Sequence, residues 1–262
     1  MTAATSSIAA SMPARSISRC RAPVRAARPR PPRSRTASSS CSNITSPKSP
    51  KSGPSEPNRP RKDWNMAQPL DDAALDTIFR TARTYNGYTD APVTEADIRS
   101  IYGLLKMGPT SANNQAARFV WLTTPEARER LAALSSSTNA DKIRKAPAAV
   151  IIGMALAFNE QLPWLFPHAP TAKDWFPTKE SRYTTAFRNS SLQGAYLLIA
   201  ARALGFDTGP MSGFDNAKVD EAFFADQPSV KSNFISTLGH GDPSTIFDRL
   251  PRPEFEQFNR VL

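Results

Sequence analysis

Gly108-Pro109-Thr110-Ser111-Ala112-Asn113-Asn114-Gln115 separates a helical pattern from an apolar strand pattern, and it carries no titrating side chain. Upstream, Ile98, Ile101, Tyr102 and Leu105 recur at helical spacing, with Thr94 and Asp97 as a capping signal and Gly108-Pro109 as a stop. Downstream, residues 119–122 form a short apolar run that reads as a buried strand. Gly and Pro fix the backbone path, while each Asn or Gln amide offers an acceptor and two donors. Such groups suit a flat heterocycle edged with carbonyls and ring nitrogens. An ordinary helix-to-strand loop is the plainer reading of this composition, so the choice falls to the rest of the chain.

Working outward, Asp71 or Asp72 caps a first helix with Leu75, Ile78, Phe79 and Ala82 on one face, ended by Asn86-Gly87. A short helix is expected over 125–134 and a second buried strand over 148–152. Residues 159–178 hold four prolines and four large aromatics without periodicity, which describes an irregular pocket wall or lid. A long helix over about 183–204 is apolar nearly all round in its second half, so it is central or shared between subunits. Residues 206–213 read as a Gly/Pro loop, followed by a helix over 216–224 and a strand near 234–238. Helices surround a few strands in no regular alternation, which predicts an α+β fold.

Charge divides the chain. Of 33 Lys and Arg, 13 fall in residues 1–65 against only Glu56 and Asp63, and the formal net charge of +10 arises wholly there. That stretch is rich in Pro, Ser and Arg, holds both cysteines (Cys20 and Cys41), and has too few large apolar residues to offset chain ordering. It is expected to be disordered. Its composition fits a basic nucleic-acid-binding tail, an organelle transit peptide, or an upstream start-site artefact or dispensable leader. The last is favoured, because no aromatic interleaving supports nucleic-acid binding and Met66 opens an ordinary domain.

Residues 66–262 make one domain. Without cysteine and with only His168 and His240, this part offers no thiol nucleophile and a poor ligand set for a metal. No apolar run approaches the ~20 residues that span a bilayer. A cytoplasmic protein without a nucleic-acid or membrane partner is expected.

Six segments together carry a family resemblance. They are Arg83-Thr-Tyr-Asn-Gly87, the 108–113 turn, Leu165-Phe-Pro-His168, Ala186-Phe-Arg-Asn-Ser-Ser191, Asp207-Thr-Gly-Pro-Met-Ser-Gly-Phe-Asp215 and Arg249-Leu-Pro251. In this order they resemble the FMN-dependent nitroreductase superfamily over residues 71–262, and within it the malonic semialdehyde reductase subgroup of pyrimidine (uracil) degradation. The resemblance implies a nitroreductase-like fold with a small mixed sheet, an intertwined homodimer, and FMN at the subunit interface. It further implies ping-pong reduction of malonic semialdehyde to 3-hydroxypropanoate by NADPH or NADH. The absence of a Gly-x-Gly-x-x-Gly turn agrees that no separate nicotinamide site is present. Broad nitroaromatic or quinone reduction is the alternative activity, and a non-catalytic flavin-binding or interaction protein is the alternative of another class.

Residue by residue, the resemblance implies that Arg83 and Arg249 meet the phosphate, with Thr84 beside Arg83 and Asn86 standing where many relatives carry a second Arg. Pro109 and Thr110 shape the turn, and Ser111 and Asn113 touch the flavin across the dimer. Asn139 and Lys142 face the pyrimidine edge of the ring, where a cation favours the reduced cofactor. Pro210, Met211, Ser212 and Gly213 approach the ring through backbone N–H groups. Ser212 stands where many relatives have an acid. His168 is the candidate proton donor, imidazole being a common general acid. Arg188, Arg118 and Trp175 are the candidates for holding a carboxylate substrate.

Overall fold

A computed structural model describes residues 68–262. The expectations for residues 1–65 lie outside the described residues. Asp71 accepts the Ala74 N–H at 2.8 Å and starts α1 (Asp72–Leu75), which continues as one π-helical turn, Asp76–Arg80. The apolar face read from the sequence is partly covered: Leu75, Ile78 and Ala82 are half-buried, while Phe79 is 54% exposed. Helix α2 (Glu95–Leu105) opens with the expected reciprocal box, Thr94 with Asp97. It ends at the 108–115 turn, and β1 (Ala117–Leu122) follows.

Next come α3 (Pro125–Ala132), α4 (Ser137–Lys145) and β2 (Ala148–Ala155), then the short α5 (Leu162–Leu165) within the lid segment. The long helix α6 (Lys179–Ala203) begins four residues earlier than expected, because Thr178 and Ser181 cap each other. Strand β3 (Asp207–Met211), α7 (Asn216–Phe223), β4 (Val230–Gly239) and a last short helix α8 (Phe255–Phe258) complete the described chain.

The four strands lie in the order β1-β2-β4-β3, every neighbour antiparallel. The sheet is thus antiparallel rather than mixed, and its parallel element is the single bridge between Thr84 and Thr208. Residues 207–211 are an edge strand rather than a loop. Pro210 has no N–H to give, and an edge strand can leave that side unpaired.

All eight residues of β2 are buried, and their faces alternate with period two. Ala148, Val150 and Ile152 pack with Ile101, Leu105 and Leu197 of α2 and α6. Ala149 and Ile151 pack with Leu131, Ile143 and Val219 of α3, α4 and α7. Helices therefore cover both faces of the sheet, and each large aliphatic side chain so buried contributes roughly 1.5–3 kcal/mol. Helix α6 lies close on the sheet because its inner stripe is small: a Cβ on Gly194 would stand 2.3 Å from the Phe234 ring. Its outer side keeps Leu192 and Tyr196 exposed, as expected of a shared helix.

The segment after α1 is threaded between β3 and the chain beyond β4. Tyr88 pairs with Gly241, the Thr89 N–H reaches the His240 carbonyl at 2.8 Å, and Asn86 Nδ2 reaches the Thr245 carbonyl at 2.9 Å. The Tyr88 hydroxyl lies 2.6 Å from Thr237 Oγ1; burial pushes its pKa well up, that hydrogen bond opposes the shift, and the charge of Asp207 adds to it. Because the folded pKa is raised, this contribution is complete below the unfolded value near 10 and is lost as pH rises beyond it. The melting temperature should therefore fall above about pH 10, and Tyr88→Phe should flatten that limb in a pH series of thermal melts.

Candidate functional site

Residues drawn from both ends of the domain converge on a cavity of about 550 Å³ beside the 83–86 segment. Arg83, Lys142, Arg202, Arg249 and Arg252 line it with a single carboxylate, Asp248. Two reciprocal ties bring the ends together. Arg83 donates to the Phe247 carbonyl, and Arg249 Nη2 donates to the carbonyls of Arg80 (2.8 Å) and Ala82 (3.2 Å). Among the described residues none of the five cations has a carboxylate within ion-pair distance. Burial lowers the pKa of Arg202, with Arg249 adding to the effect and Asp207 opposing it. A concave cluster of this sign, with guanidinium forks and almost no counter-charge, is matched chemically to a phosphate.

Strand β3 runs beside the cavity-lining Thr84 and leads toward α4. Thr84 bridges Thr208, and Pro210 and Met211 follow opposite Ser236 and Ile235. The Gly213 carbonyl then receives both the Ser136 N–H (2.9 Å) and Asn139 Nδ2 (3.1 Å). A Cβ on Gly213 would stand 2.7 Å from Asn139 Nδ2, so glycine is required for this closure. Asn139 and Lys142, three apart on α4, share a face, and Lys142 reaches the cationic cavity. Ser212 is exposed at the end of the strand.

The 108–115 turn forms a second locus, on α6. A Cβ on Gly108 would meet the Tyr196 ring at 2.7 Å. The Thr110 hydroxyl accepts the Gln115 N–H at 3.2 Å, and the Ser111 N–H donates to buried Asn189 at 2.8 Å. Ala112, Asn113 and Gln115 hold φ values of 49°, 49° and 43°, left-handed backbone that costs a non-glycine residue about 1–2 kcal/mol. Asn113, Gln115, Arg118 and Gln193 open together on a cavity of about 610 Å³ walled by Tyr102, Phe119, Trp121 and Trp164. The turn and the cationic cluster line different cavities of one chain.

Nitroreductase family is the description of the family model that matches residues 70–240. The chain belongs to the Nitroreductase family. A family relative from Stenotrophomonas maltophilia (strain R551-3) is 55% identical over 197 residues, 75% of this chain and 100% of its own length. A Caulobacter sp. (strain K31) relative is 53% identical over 193 residues, 74% and 98% of the two chains. Both bear the provisional name NADH dehydrogenase/NAD(P)H nitroreductase. Among solved structures, the fold matches a nitroreductase from Exiguobacterium sibiricum in complex with FMN, at TM-score 0.66 and 18% identity, covering 74% of this chain and 99% of that one. It also matches an NAD(P)H:FMN oxidoreductase, provisionally so named, from Staphylococcus epidermidis, at TM-score 0.65 and 17% identity, covering 75% and 98%. The nitroreductase α+β fold expected from the sequence is therefore present.

Within this family fold the remaining candidates are unequally placed. Arg118 is half-buried at the mouth of β1, its Nη1 donating to the carbonyls of Gln115 (2.9 Å) and Ala117 (2.7 Å). Burial lowers its pKa, and no carboxylate among the described residues pairs with it. Arg188, a candidate for the substrate carboxylate, faces solvent on α6 and lines neither cavity. His168 is exposed, with its ring 3.9 Å from that of Phe166, and lines neither cavity. Trp175 is 53% exposed and packs edge-on to Phe166 at 6.0 Å. Sequence reasoning missed Arg202, which the tertiary fold brings to the cavity, and Arg252, three residues beyond Arg249. It also missed Asn189 and Gln193, whose signal was an i, i+4 pair of amides within the small-residue stripe of α6. No helix among the described residues is long and apolar enough to cross a membrane.

Proposed function

We propose that the protein is an FMN-dependent NAD(P)H oxidoreductase that reduces malonic semialdehyde to 3-hydroxypropanoate. The cofactor reading is supported by the uncompensated cation cluster and by FMN in the fold relative's crystal structure. Arg83, Lys142 and Arg249 would hold the phosphate, with Asn139 and the backbone of residues 210–213 toward the ring. Asn86 donates to Thr245, so it braces the 83–86 segment in place of a second phosphate-binding Arg. Bound FMN would supply two-electron exchange between the nicotinamide and the acceptor.

The turn carrying Pro109, Thr110, Ser111 and Asn113 would reach the flavin from a second copy of the chain. Three features support such a homodimer: the separate cavities, the exposed outer side of α6, and exposed Phe255 and Phe258 in the C-terminal segment.

The observation that carries the substrate is Arg118, a half-buried guanidinium without a counter-charge, in the same cavity as Asn113. It would bind the carboxylate and so set the aldehyde's position. That cavity's lining includes no histidine or carboxylic acid, and its proton-bearing side chains are Lys106 and Tyr102, so the proton for the product hydroxyl is assigned to these or to water rather than to His168. Arg118→Met is expected to raise KM for malonic semialdehyde about 10–100-fold, the equivalent of one charge-assisted hydrogen-bonding group, and to leave nitroaromatic reduction within a factor of two or so. Equal loss on both acceptors would remove the carboxylate role. The relatives' names favour a second reading, a nitroreductase of broad acceptor range. The two separate in an anaerobic cuvette: protein bleached by NADPH recovers its yellow colour on adding malonic semialdehyde only under the first. We further place the whole activity in residues 66–262, and a chain started at Met66 should keep the FMN affinity and turnover of the full protein, measured side by side.

A further inference from the structure

Four hydrogen bonds run in series from the start of β1, through α6, to the lid. The Ala117 N–H donates to Gln193 Oε1 (2.8 Å), Gln193 Nε2 to Gln115 Oε1 (2.7 Å), Gln115 Nε2 to Asn113 Oδ1 (2.8 Å), and Asn113 Nδ2 to the Leu165 carbonyl (2.8 Å). The two ends of this chain are backbone groups, one able only to donate and the other only to accept. Every amide between them is thereby fixed in direction, since turning one over would set donor against donor or acceptor against acceptor. Bonds aligned in one sense also polarise one another. Asn113 has its oxygen turned to Gln115 and one N–H committed to Leu165, so the hydrogen it has left to offer is the second N–H.

We propose that Gln193 is a positioning residue which, through Gln115, sets the Asn113 amide as a hydrogen-bond donor to the flavin. Gln193 is 3% exposed, and although it shares the lining of the turn's cavity with Asn113, its amide is committed to Ala117 and Gln115, so its influence is assigned to the relay through Asn113. The placement accounts for the second of two buried amides, Asn189 and Gln193, on a helix stripe otherwise made of Ala, Ser, Gly and Leu. It also accounts for the left-handed backbone at Asn113 and Gln115, which lets two side chains so close in sequence meet head to tail. The same relay ties the turn to Leu165, the last residue of α5, so lid and turn keep one geometry. The inference rests on the reading that Asn113 meets FMN.

Gln193→Glu keeps the volume and still accepts the Ala117 N–H, but its carboxylate has no hydrogen for Gln115. Gln115 then turns its amide over and presents oxygen to Asn113, whose own amide must turn and face the Leu165 carbonyl with oxygen. The test is a fluorescence titration of FMN into the flavin-stripped full chain, for the parent, Gln193→Glu, Asn113→Ala and the double variant, together with the position of the bound flavin's visible band. Gln193→Glu should raise the FMN dissociation constant about tenfold, the equivalent of one lost hydrogen bond, and move the band. In the Asn113→Ala background it should do neither. An effect of undiminished size in that background, or no effect in the parent, overturns the proposal. If Asn113→Ala binds FMN like the parent, the site reading itself fails and the relay falls with it, an outcome distinct from the other two. Should Gln193→Glu not fold, as judged by thermal melting, Gln115→Met cuts the relay at a half-buried residue, leaves the Ala117–Gln193 bond intact, and enters the same cycle.

Discussion

Arg249→Glu protein should emerge from purification colourless and bind added FMN at least about a hundredfold more weakly than the parent. Arg249 does two things in this fold. Its Nη2 holds the carbonyls of Arg80 and Ala82, fixing the segment that carries Phe247 and Arg252 against the start of the domain. Its charge also completes a cavity where five cations face one carboxylate. A hydrogen bond to a charged group contributes about 1.5–3 kcal/mol, and each 1.4 kcal/mol is tenfold in affinity. Losing the fork therefore accounts for about a hundredfold, and the added carboxylate repels the phosphate besides. Arg249→Lys separates the two effects: it keeps the charge, loses the planar fork, and should weaken FMN by an intermediate factor. Both are read by titrating FMN into stripped protein. The same measurement at rising salt should show the parent's affinity falling, because partly exposed charges are screened. If Arg249→Glu retains its yellow colour, the phosphate does not lie in this cavity.

How much of this could be read from the sequence depended on how local each cause was. Thr94 with Asp97, and Asp71, cap their helices through partners three residues away, so spacing located the first and narrowed the second to Asp71 or Asp72. The complete burial of β2 was foreseeable from its apolar run, although the expected strand stopped at residue 152 and the observed one continues to Ala155. Residues 207–211 were misread because Gly209 and Pro210 are turn residues by local chemistry, and only the pairing with β4 makes them an edge strand. Arg83, Thr84, Asn86, Lys142 and Arg249 were found through a resemblance rather than through spacing. Nothing local distinguishes Arg249 from Arg252 or from any surface arginine; the cavity that unites them is formed by segments more than 160 residues apart. Arg188 and Arg118 looked alike in sequence and separate in the fold, one in solvent and one half-buried beside the turn. Phe79, Leu192 and Tyr196 kept the opposite ambiguity, being apolar at helical spacing without being covered by their own chain.

Gly209→Ala should be the most destabilising single-methyl change in the sheet that leads to the site. A Cβ there would stand 2.4 Å from Thr237 Oγ1, 3.0 Å from the Tyr88 hydroxyl and 3.1 Å from the Tyr85 carbonyl. Thr237 and Tyr88 are bonded to each other at 2.6 Å, and Thr237 is wholly buried, so neither hydroxyl can retreat without giving up the other. Overpacking of this kind costs up to about 3 kcal/mol. For a domain of this size that lowers the melting temperature by roughly 6–12 °C. The damage should also reach the cofactor, because Pro210, Met211, Ser212 and Gly213 follow directly and Thr84 is bridged to Thr208 just before. FMN affinity should drop even at temperatures where the variant remains folded. Thr237→Ala removes the nearest obstructing atom, so the double variant should be more stable than the two single losses combined. Residues in contact couple by about 0.5–3 kcal/mol, well within reach of paired thermal melts. The relief should stay incomplete, because the Tyr85 carbonyl belongs to the backbone that positions Arg83 and Asn86 and cannot move away. A Gly209→Ala protein that melts within a degree or two of the parent would mean that β3 can shift outward freely. The backbone approach of residues 210–213 to the flavin would then have no fixed support.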